Sequence, residues 1–369
     1  MEFRVPFSGR SITYTQDEID VVVQAMQDAV PLTQGKYMRA FEAAFSDFLG
    51  GDRDCFAVCN ATAALELCAQ LCQFKEGDEF IIPGHTFTSS AYPFIKKGGT
   101  PVWADIDLKT QVITAEAIER CITPRTKAVI VVHLYGYVAD MPAIMEVANR
   151  HDLIVIEDAA QSIGAELNGR QSGAFGDLGV FSLHSHKNIT TLGEGGILAV
   201  KNKKLADLVR MLRHNGHCGF DFERPSYWSP AMGNVDLPKL QGETVFPNNY
   251  CLGEVECALG AKLLERLDAI NADKRKRAIA FIDALSDRDE LVFHREDSNR
   301  HNYHLLVARV TGGKRDELMR RLSQDKKIQC VIQYYPLYRY DFYTKLGYGN
   351  AECPQTDAFY DNMISFPFH

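Results

Sequence analysis

The chain has 369 residues, and 40 Lys+Arg against 48 Asp+Glu give a formal net charge of −8. Hydrophobic residues at 46% and charged residues at 24% are typical of soluble globular proteins, which excludes a disordered or fibrous chain. The acidic balance opposes a phosphate backbone, so we expect no nucleic-acid partner. No apolar run reaches the roughly 18 residues of a membrane span and the N-terminus lacks a secretory signal, so we expect a cytoplasmic protein without membrane contact. The 10 cysteines are dispersed without histidines at zinc-like spacing, so we expect free thiols and no metal site.

The first elements in chain order are two helices and then an alternation of strands and helices. Thr15 and Glu18 have the spacing of a capping box and predict a helix start, and Met38–Phe48 predicts a second helix. Short apolar runs then predict strands at Phe56–Val58, Phe80–Ile82, Val102–Trp103, Ala128–Val132 and Leu153–Ile156. Helical patterns lie between several of these runs, at Ala63–Leu71, Ser89–Ile95 and Ala143–Ala148. This order predicts an α/β fold, with a mostly parallel sheet covered by helices on both faces.

The later part of the chain predicts a strand pair and then a smaller α+β domain. Gly179–Phe181 and Ile197–Val200 flank a polar, glycine-rich turn. The remaining predicted elements are a long helix over Val255–Ile282, a strand at Tyr303–Val310, a helix at Asp316–Leu322 and a strand at Cys330–Gln333. We therefore divide the chain into a large domain, residues 1–250, and a small C-terminal domain, residues 251–369. The irregular segment 216–248 before this boundary has a length typical of functional or mobile loops.

Polar side chains follow four of the predicted strands, at the edge of a parallel sheet where ligands bind. They supply a lysine, an acid, a helix start of the size that binds a phosphate, and an aromatic ring. Pyridoxal phosphate needs this combination: an amine for a Schiff base, a carboxylate on the pyridine nitrogen, phosphate donors and a flat surface under the ring. The candidates are Lys187 for the amine, Asp158 for the acid, Ala61, Thr62 and Ser182 for the phosphate, and Phe87 for the ring.

Six strings of the sequence resemble one enzyme family over most of the chain. These strings are Pro31–Gly35, Asn60–Ala64, His133–Gly136, Glu157–Ser162, Ser182–Asn188 and Gly193–Gly196. They are similar to the DegT/DnrJ/StrS sugar aminotransferases, which are fold-type I pyridoxal-phosphate enzymes with an aspartate-aminotransferase-like fold. Most members aminate keto sugars attached to nucleotides, usually with glutamate as donor. The resemblance therefore implies a sugar aminotransferase of polysaccharide, lipopolysaccharide or natural-product biosynthesis, with pyridoxamine phosphate as the intermediate cofactor form.

The resemblance also implies roles for individual residues. Lys187 matches the catalytic lysine, Asp158 the partner of the pyridine nitrogen, and Gln161 the residue near the phenolic oxygen of the cofactor. Asn249 falls on an Asn-Tyr-Arg segment whose asparagine reaches the cofactor phosphate of the neighbouring subunit, so a homodimer with shared sites is implied. The residues expected near the sugar are His301, Tyr303, Tyr335 and, in the long loop, Trp228.

Departures from the family pattern leave the substrate open. Cys251 stands where many members have arginine, Ala61 where glycine is usual, and Tyr137 where glutamine is common. A free sugar acid such as an 8-oxo-3-deoxy-octulosonate therefore remains an alternative substrate. The family's last helix has no counterpart after Phe368, which suggests a C-terminal truncation.

Three other activities bear on the assignment. A pyridoxamine-phosphate-dependent sugar dehydratase carries histidine in place of the lysine, and Lys187 argues against it. A non-catalytic pyridoxal-phosphate-binding regulator stays open, because a fold can keep its pocket and lose its reaction. A nicotinamide dehydrogenase is excluded, since no G-x-G-x-x-G opens a helix.

Overall fold

The computed structural model describes residues 2–9, 12–219, 227–228, 232–294 and 300–368. The helices are α1 (Gln16–Asp28), α2 (Lys36–Phe48), α3 (Ala61–Cys72), α4 (Tyr92–Lys96), α5 (Ala115–Cys121), α6 (Met141–Arg150), α7 (Lys203–Leu212), α8 (Glu254–Leu264), α9 (Leu267–Ala284), α10 (Arg315–Gln324), α11 (Asp341–Lys345) and α12 (Pro354–Asn362). The strands are β1 (Asp54–Val58), β2 (Glu79–Pro83), β3 (Thr100–Ala104), β4 (Thr126–Val132), β5 (Ile154–Asp158), β6 (Glu166–Leu167), β7 (Arg170–Gln171), β8 (Leu178–Ser182), β9 (Gly196–Val200), β10 (His217–Cys218), β11 (Asn234–Val235), β12 (Leu291–Phe293), β13 (Leu306–Val310) and β14 (Met363–Phe366). Short 3-10 turns lie at Thr88–Ser90, Leu134–Gly136 and Leu337–Arg339.

A seven-stranded sheet with the order β1-β9-β8-β5-β4-β2-β3 forms the centre of the molecule. The strands from β8 to β3 run parallel, whereas β9 is antiparallel to both β8 and β1. Alternate residues of β1 enter two different hydrophobic clusters. Phe56 packs in the cluster that contains Leu65 of α3, and Ala57 packs in the cluster that contains Phe45 of α2. Helices thus cover both faces, and the predicted α/β class and the β8–β9 strand pair are confirmed.

The first helix begins as its capping box predicts. The Glu18 amide donates to Thr15 Oγ1 at 3.4 Å, and the Thr15 amide donates to Glu18 Oε2 at 2.9 Å. Glu18 also forms an ion pair with Arg266, which lies between α8 and α9. The start of the chain is therefore fixed to the helices that follow the long loop.

A buried carboxylate fixes the end of β5. Glu157 Oε1 accepts hydrogen bonds from the amides of Phe175 and Gly176, both at 2.6 Å. Its Oε2 accepts from the Gly173 amide at 2.8 Å and lies 2.8 Å from His133 Nε2. The Ala139 amide donates to Nδ1 of His133, so the ring proton sits on Nε2 and is donated to the carboxylate. Burial by itself raises the pKa of Glu157, but these hydrogen bonds outweigh it and hold the pKa below its ordinary value.

The C-terminal part contains an antiparallel sheet of β12, β13 and β14, and it corrects two predictions. The long helix predicted over Val255–Ile282 is two helices, because the backbone of Arg266 leaves helical geometry with φ −113° and ψ 14°. Cys330–Gln333 is not a strand but makes a single bridge, Val331 to Ser365, and Met363–Phe366 is the third strand instead.

The packing of α8 bears on the division of the chain near residue 250. Cys257 and Leu263 of α8 pack in the same cluster as Phe41 and Phe45 of α2. A separate hydrophobic cluster contains Ala278 of α9 together with residues of β13 and β14. The two-domain division stays a prediction. Among the described residues, no helix has the length and apolar character that crossing a membrane requires.

We predict that Glu157→Gln lowers the free energy of unfolding by about 3 kcal/mol or more. In the native chain each carboxylate oxygen of Glu157 accepts from two buried donors. In the variant an NH2 group, which cannot accept, takes the place of one of these oxygens. The folded-state pKa of Glu157 lies below the ordinary value of 4.5. The difference in unfolding free energy between the native chain and the variant is therefore largest above pH 4.5 and becomes smaller as the pH falls below it. Urea denaturation of the two proteins measures it.

The matched control for this prediction is Glu265→Gln. Glu265 is an exposed glutamate that pairs with Lys262 on the surface, and its change should leave stability within about 0.5 kcal/mol of the native chain. Equal stability of the Glu157 and Glu265 variants would contradict the role given to Glu157.

Candidate active site

A cavity of about 470 Å³ opens at the carboxyl edge of the central sheet. Val132, Asp158 and Ser182 line it from the ends of β4, β5 and β8. The other lining residues that carry polar or aromatic groups are Phe7, Ser8, Asn60, Thr62, Thr86, Phe87, Ser89, Ser90, Gln161, His184, His186, Lys187, Glu194, Lys274, His304, Gln333, Tyr334 and Phe368. The site lies where parallel strands predict it.

The start of α3 forms an anion-binding corner of the cavity. Asn60 caps the helix, with its Oδ1 accepting from the Ala63 amide at 2.9 Å. Ala61 and Thr62 directly follow the cap residue. Their amides belong to the first turn, whose N–H groups have no partner within the helix. A Cβ on Gly196 would come within 2.7 Å of the Ala61 nitrogen, so only glycine lets β9 pack this closely against the turn. Thr62 and Ser182 add hydroxyl groups to the same cavity.

The carboxylate of Asp158 is held in a defined orientation. Ser90 Oγ donates to Asp158 Oδ2 at 2.7 Å, and the Ala160 amide donates to Oδ1 at 3.1 Å. Asp158 is buried but lines the cavity. Ser90 is absent from the predicted site, because a serine at the start of a predicted helix carries no recognisable motif.

Gln161 joins two tyrosines behind the cavity. The Tyr135 amide donates to Gln161 Oε1 at 2.8 Å, and Gln161 Nε2 donates to the Tyr334 hydroxyl at 3.0 Å. The ring centroids of Tyr334 and Phe87 are 5.8 Å apart in an edge-on arrangement. Burial raises the pKa of Tyr334 to about 12 although the Gln161 hydrogen bond opposes it, so this phenol stays protonated at neutral pH.

Lys187 reaches the cavity from the loop after β8. Burial of its amine lowers the pKa to about 8, and the charge of Asp158 partly opposes this shift. About a tenth of the amine is therefore neutral and nucleophilic at pH 7, against less than about a thousandth for an ordinary lysine.

Three histidines, His184, His186 and His304, border the cavity without having been predicted as site residues. His184 Nε2 lies 3.8 Å from a Glu194 carboxylate oxygen. His304 Nδ1 lies 3.3 Å from Asn188 Oδ1. Burial, followed by the charges of Lys187 and Lys274, holds the pKa of His304 well below its ordinary value, so its imidazole is neutral.

The predicted substrate residues lie outside the cavity lining of this chain. His301 and Tyr303 stack on each other with ring centroids 3.9 Å apart, and His304 of the same segment lines the cavity instead. Tyr335 packs edge-on against Tyr340 and Tyr360, and its neighbour Tyr334 lines the cavity.

The other two predicted contacts lie in and after the long loop. Trp228 is partly exposed and Asn249 pairs with His214 through the backbone; neither lines the cavity. Phe220, a further aromatic of the loop, lies outside the described residues.

This donor set fits pyridoxal phosphate. The start of α3 with Thr62 and Ser182 matches a phosphate, Asp158 matches a pyridine nitrogen, Gln161 and Tyr334 offer polar groups, and Lys187 offers an amine of lowered pKa. All of them meet in one cavity whose size is ordinary for a cofactor site.

Comparisons with known proteins agree with this interpretation. The model of the DegT/DnrJ/EryC1/StrS aminotransferase family matches residues 13–369. The spore coat polysaccharide biosynthesis protein SpsC of Bacillus subtilis is 32% identical over 375 aligned positions, which cover 100% of this chain and 92% of that protein. The GDP-perosamine synthase of Caulobacter vibrioides is 39% identical over 252 residues, 68% of this chain and 62% of that enzyme. The UDP-N-acetyl-3-dehydro-alpha-D-glucosamine 3-aminotransferase of Acidithiobacillus ferrooxidans is 30% identical over 352 residues, 95% of this chain and 89% of that enzyme.

Solved structures share the fold, and at least one of them holds the cofactor. An aminotransferase from Psychrobacter cryohalolentis superposes with a TM-score of 0.85 at 26% identity, over 99% of this chain and 94% of that one. NtdA of Bacillus subtilis, solved with bound cofactor PMP, has a TM-score of 0.83 at 25% identity, over 99% of this chain and 80% of that one. The chain therefore belongs to the DegT/DnrJ/EryC1/StrS aminotransferase family and is a pyridoxal-phosphate-dependent sugar aminotransferase.

Proposed function

We propose that this enzyme transfers the amino group of glutamate to a keto or aldehyde carbon of a nucleotide-linked deoxysugar, in polysaccharide or natural-product biosynthesis. The observation that carries the proposal is the joint presence of Lys187, Asp158 and the α3 anion-binding corner in one cavity. The names of two relatives, a GDP-perosamine synthase and a UDP-sugar 3-aminotransferase, support a nucleotide-linked acceptor. The name of the polysaccharide protein SpsC supports the biosynthetic context.

Each residue of the proposed site has a physical task. Pyridoxal phosphate supplies a ring that accepts electrons from the substrate carbon. Lys187, with a pKa of about 8, binds the cofactor and then accepts and returns a proton at its Nζ. Asp158 keeps a proton on the ring nitrogen, and the hydrogen bond from Ser90 holds its carboxylate in place. Gln161 and the protonated Tyr334, which are hydrogen-bonded to each other, would donate toward the ring oxygen of the cofactor, and Phe87 beside Tyr334 would lie against its ring.

The phosphate position and the second subunit complete the proposal. Ala61 and Thr62 bind the cofactor phosphate with their amides, together with the Thr62 and Ser182 hydroxyls. Phe246, three residues before Asn249, is exposed, and Val30 and Met26 are also exposed. Exposed apolar side chains of this kind are typical of an interface, which supports a homodimer in which Asn249 reaches the site of the other subunit. His301, Tyr303, Tyr335 and Trp228 remain predicted substrate contacts.

The substrate proposal is tested by comparing turnover of keto sugars linked to a nucleoside diphosphate with the same keto sugars unlinked, with glutamate and with glutamine as donors. We expect kcat/KM to be at least about 100-fold higher for the linked sugars, because the added contacts to the nucleotide contribute binding energy. We expect it to be higher by about the same factor with glutamate than with glutamine as donor. Equal kcat/KM for a free sugar acid would contradict the nucleotide-linked acceptor, and faster amination with glutamine would contradict the donor.

Capture of pyridoxal phosphate by the cofactor-free protein should depend on pH through Lys187. Only the neutral amine attacks the aldehyde, so we expect the capture rate to rise with pH and level off above pH 8, the pKa of Lys187. Stopped-flow absorbance measures this rate. Lys187→Ala should lose the fast capture and keep only the slow reactions of the other lysines, most of which rise toward their ordinary pKa of about 10.4. A capture rate that keeps rising well above pH 8 in the unmodified chain would contradict the lowered pKa of Lys187.

Subunit mixing tests the shared site. Asn249→Ala and Lys187→Ala homodimers should each be nearly inactive, the first through weakened cofactor binding. Random reassociation of equal amounts makes half the dimers mixed, and each mixed dimer holds one intact site, so about a quarter of the native activity should return. Mixtures that stay inactive would show that Asn249 serves its own subunit, and a fully active Asn249→Ala homodimer would show that it serves no site.

A further inference from the structure

A second buried lysine lines the cavity and has no task in the proposed chemistry. Lys274 lies on α9, and its side chain faces the cavity with only 8% of the residue exposed. Its Nζ lies 4.8 Å from the ring centroid of Phe368, which also lines the cavity. Arg277, one turn further along α9, lies on the same ring at 5.6 Å. The lysine therefore reaches the cavity from α9.

Among the described residues, the amine of Lys274 has no carboxylate in direct contact with it. Within the described parts of the chain, no carboxylate oxygen lies within the 4.0 Å of a salt bridge from its Nζ. Burial lowers the pKa of Lys274 to about 8, Arg277 lowers it further and Asp273 opposes the shift. Below pH 8 the amine is thus mostly protonated. A buried ammonium without a counter-ion is costly, and an anion from outside the chain would offset that cost.

The other charged groups of the cavity are already engaged. Asp158 accepts from Ser90 and Ala160, and Glu194 lies beside His184. Lys187 is assigned to the cofactor, and the phosphate of the cofactor is assigned to the start of α3. Of the two lysines in the described lining of the cavity, Lys274 is the one without an assigned task. An anionic group bound there belongs to the substrate and not to the cofactor.

We propose that Lys274 binds an anionic oxygen group of a substrate, either a carboxylate of the amino donor or a phosphate of the sugar acceptor. The inference rests on the proposed function, since it takes the cavity to admit both substrates. Donor and acceptor occupy this cavity in turn, so one cation can serve both. A lysine suits this task because its ammonium is a point charge on a flexible stem and accepts either geometry.

The test measures anion affinity rather than turnover. The cofactor-loaded enzyme is titrated calorimetrically with glutarate, an unreactive dicarboxylate, and with inorganic pyrophosphate. Lys274→Met removes the charge at similar volume, Lys274→Arg keeps it, and Lys276→Met is the matched control, since Lys276 is an exposed lysine of the same helix. We expect Lys274→Met to raise the Kd of at least one probe about tenfold, with Lys274→Arg intermediate and Lys276→Met unchanged.

The pattern of losses identifies the group. Weaker glutarate binding alone supports the donor carboxylate, weaker pyrophosphate binding alone supports the acceptor phosphate, and weakening of both supports a shared position. Unchanged Kd values for both probes in Lys274→Met would overturn the proposal and leave the amine with a structural contact to Phe368 only. If Lys274→Met does not fold, Lys274→Gln takes its place with the same expectation.

The absorbance of the bound cofactor separates this proposal from the proposed function. A chain that binds pyridoxal phosphate but shows no role for Lys274 contradicts only the present inference. A chain that does not bind pyridoxal phosphate contradicts the proposed function, and the same titrations of the unloaded protein still decide whether Lys274 binds anions.

Discussion

A buried carboxylate that accepts hydrogen bonds from three amides and one imidazole fixes the end of β5, and the site depends on it. Glu157 connects that strand to the turn before β8 through Gly173, Phe175 and Gly176. The next residue along the strand is Asp158, so the hydrogen bonds that fix Glu157 also fix the position of the proposed cofactor-binding carboxylate. Because side chains alternate along a strand, Glu157 points into the protein and Asp158 points to the cavity.

One desolvated edge of the sheet sets several protonation states at once. Burial lowers the pKa of Lys187 to about 8, raises that of Tyr334 to about 12 and holds that of His304 below its ordinary value. At neutral pH this edge presents a partly neutral amine, a protonated phenol and a neutral imidazole. Groups of opposed proton affinity side by side are typical of sites that move protons.

The sequence predicts what depends on local pattern. The capping box at Thr15, the β8–β9 pair and the cofactor residues at strand ends follow from periodicity, capping and topology. The sequence does not predict which side chains the irregular segments present to the cavity, because the direction of these side chains depends on single backbone dihedral angles. Tyr303 has a φ of +50°, and the segment presents His304 to the cavity in place of His301. Lys274 likewise has the appearance of a solvated helix charge until the packing of α9 buries it.

Covalent trapping of the cofactor is the most direct measurement of the central claim, that Lys187 carries it. The enzyme is loaded with pyridoxal phosphate, reduced with borohydride, digested and mapped by mass spectrometry. We predict the added mass on Lys187 in the peptide that contains His184 and His186, with glutamate treatment before reduction removing it. Attachment to Lys274, or an absence of modification at both lysines, would contradict the account.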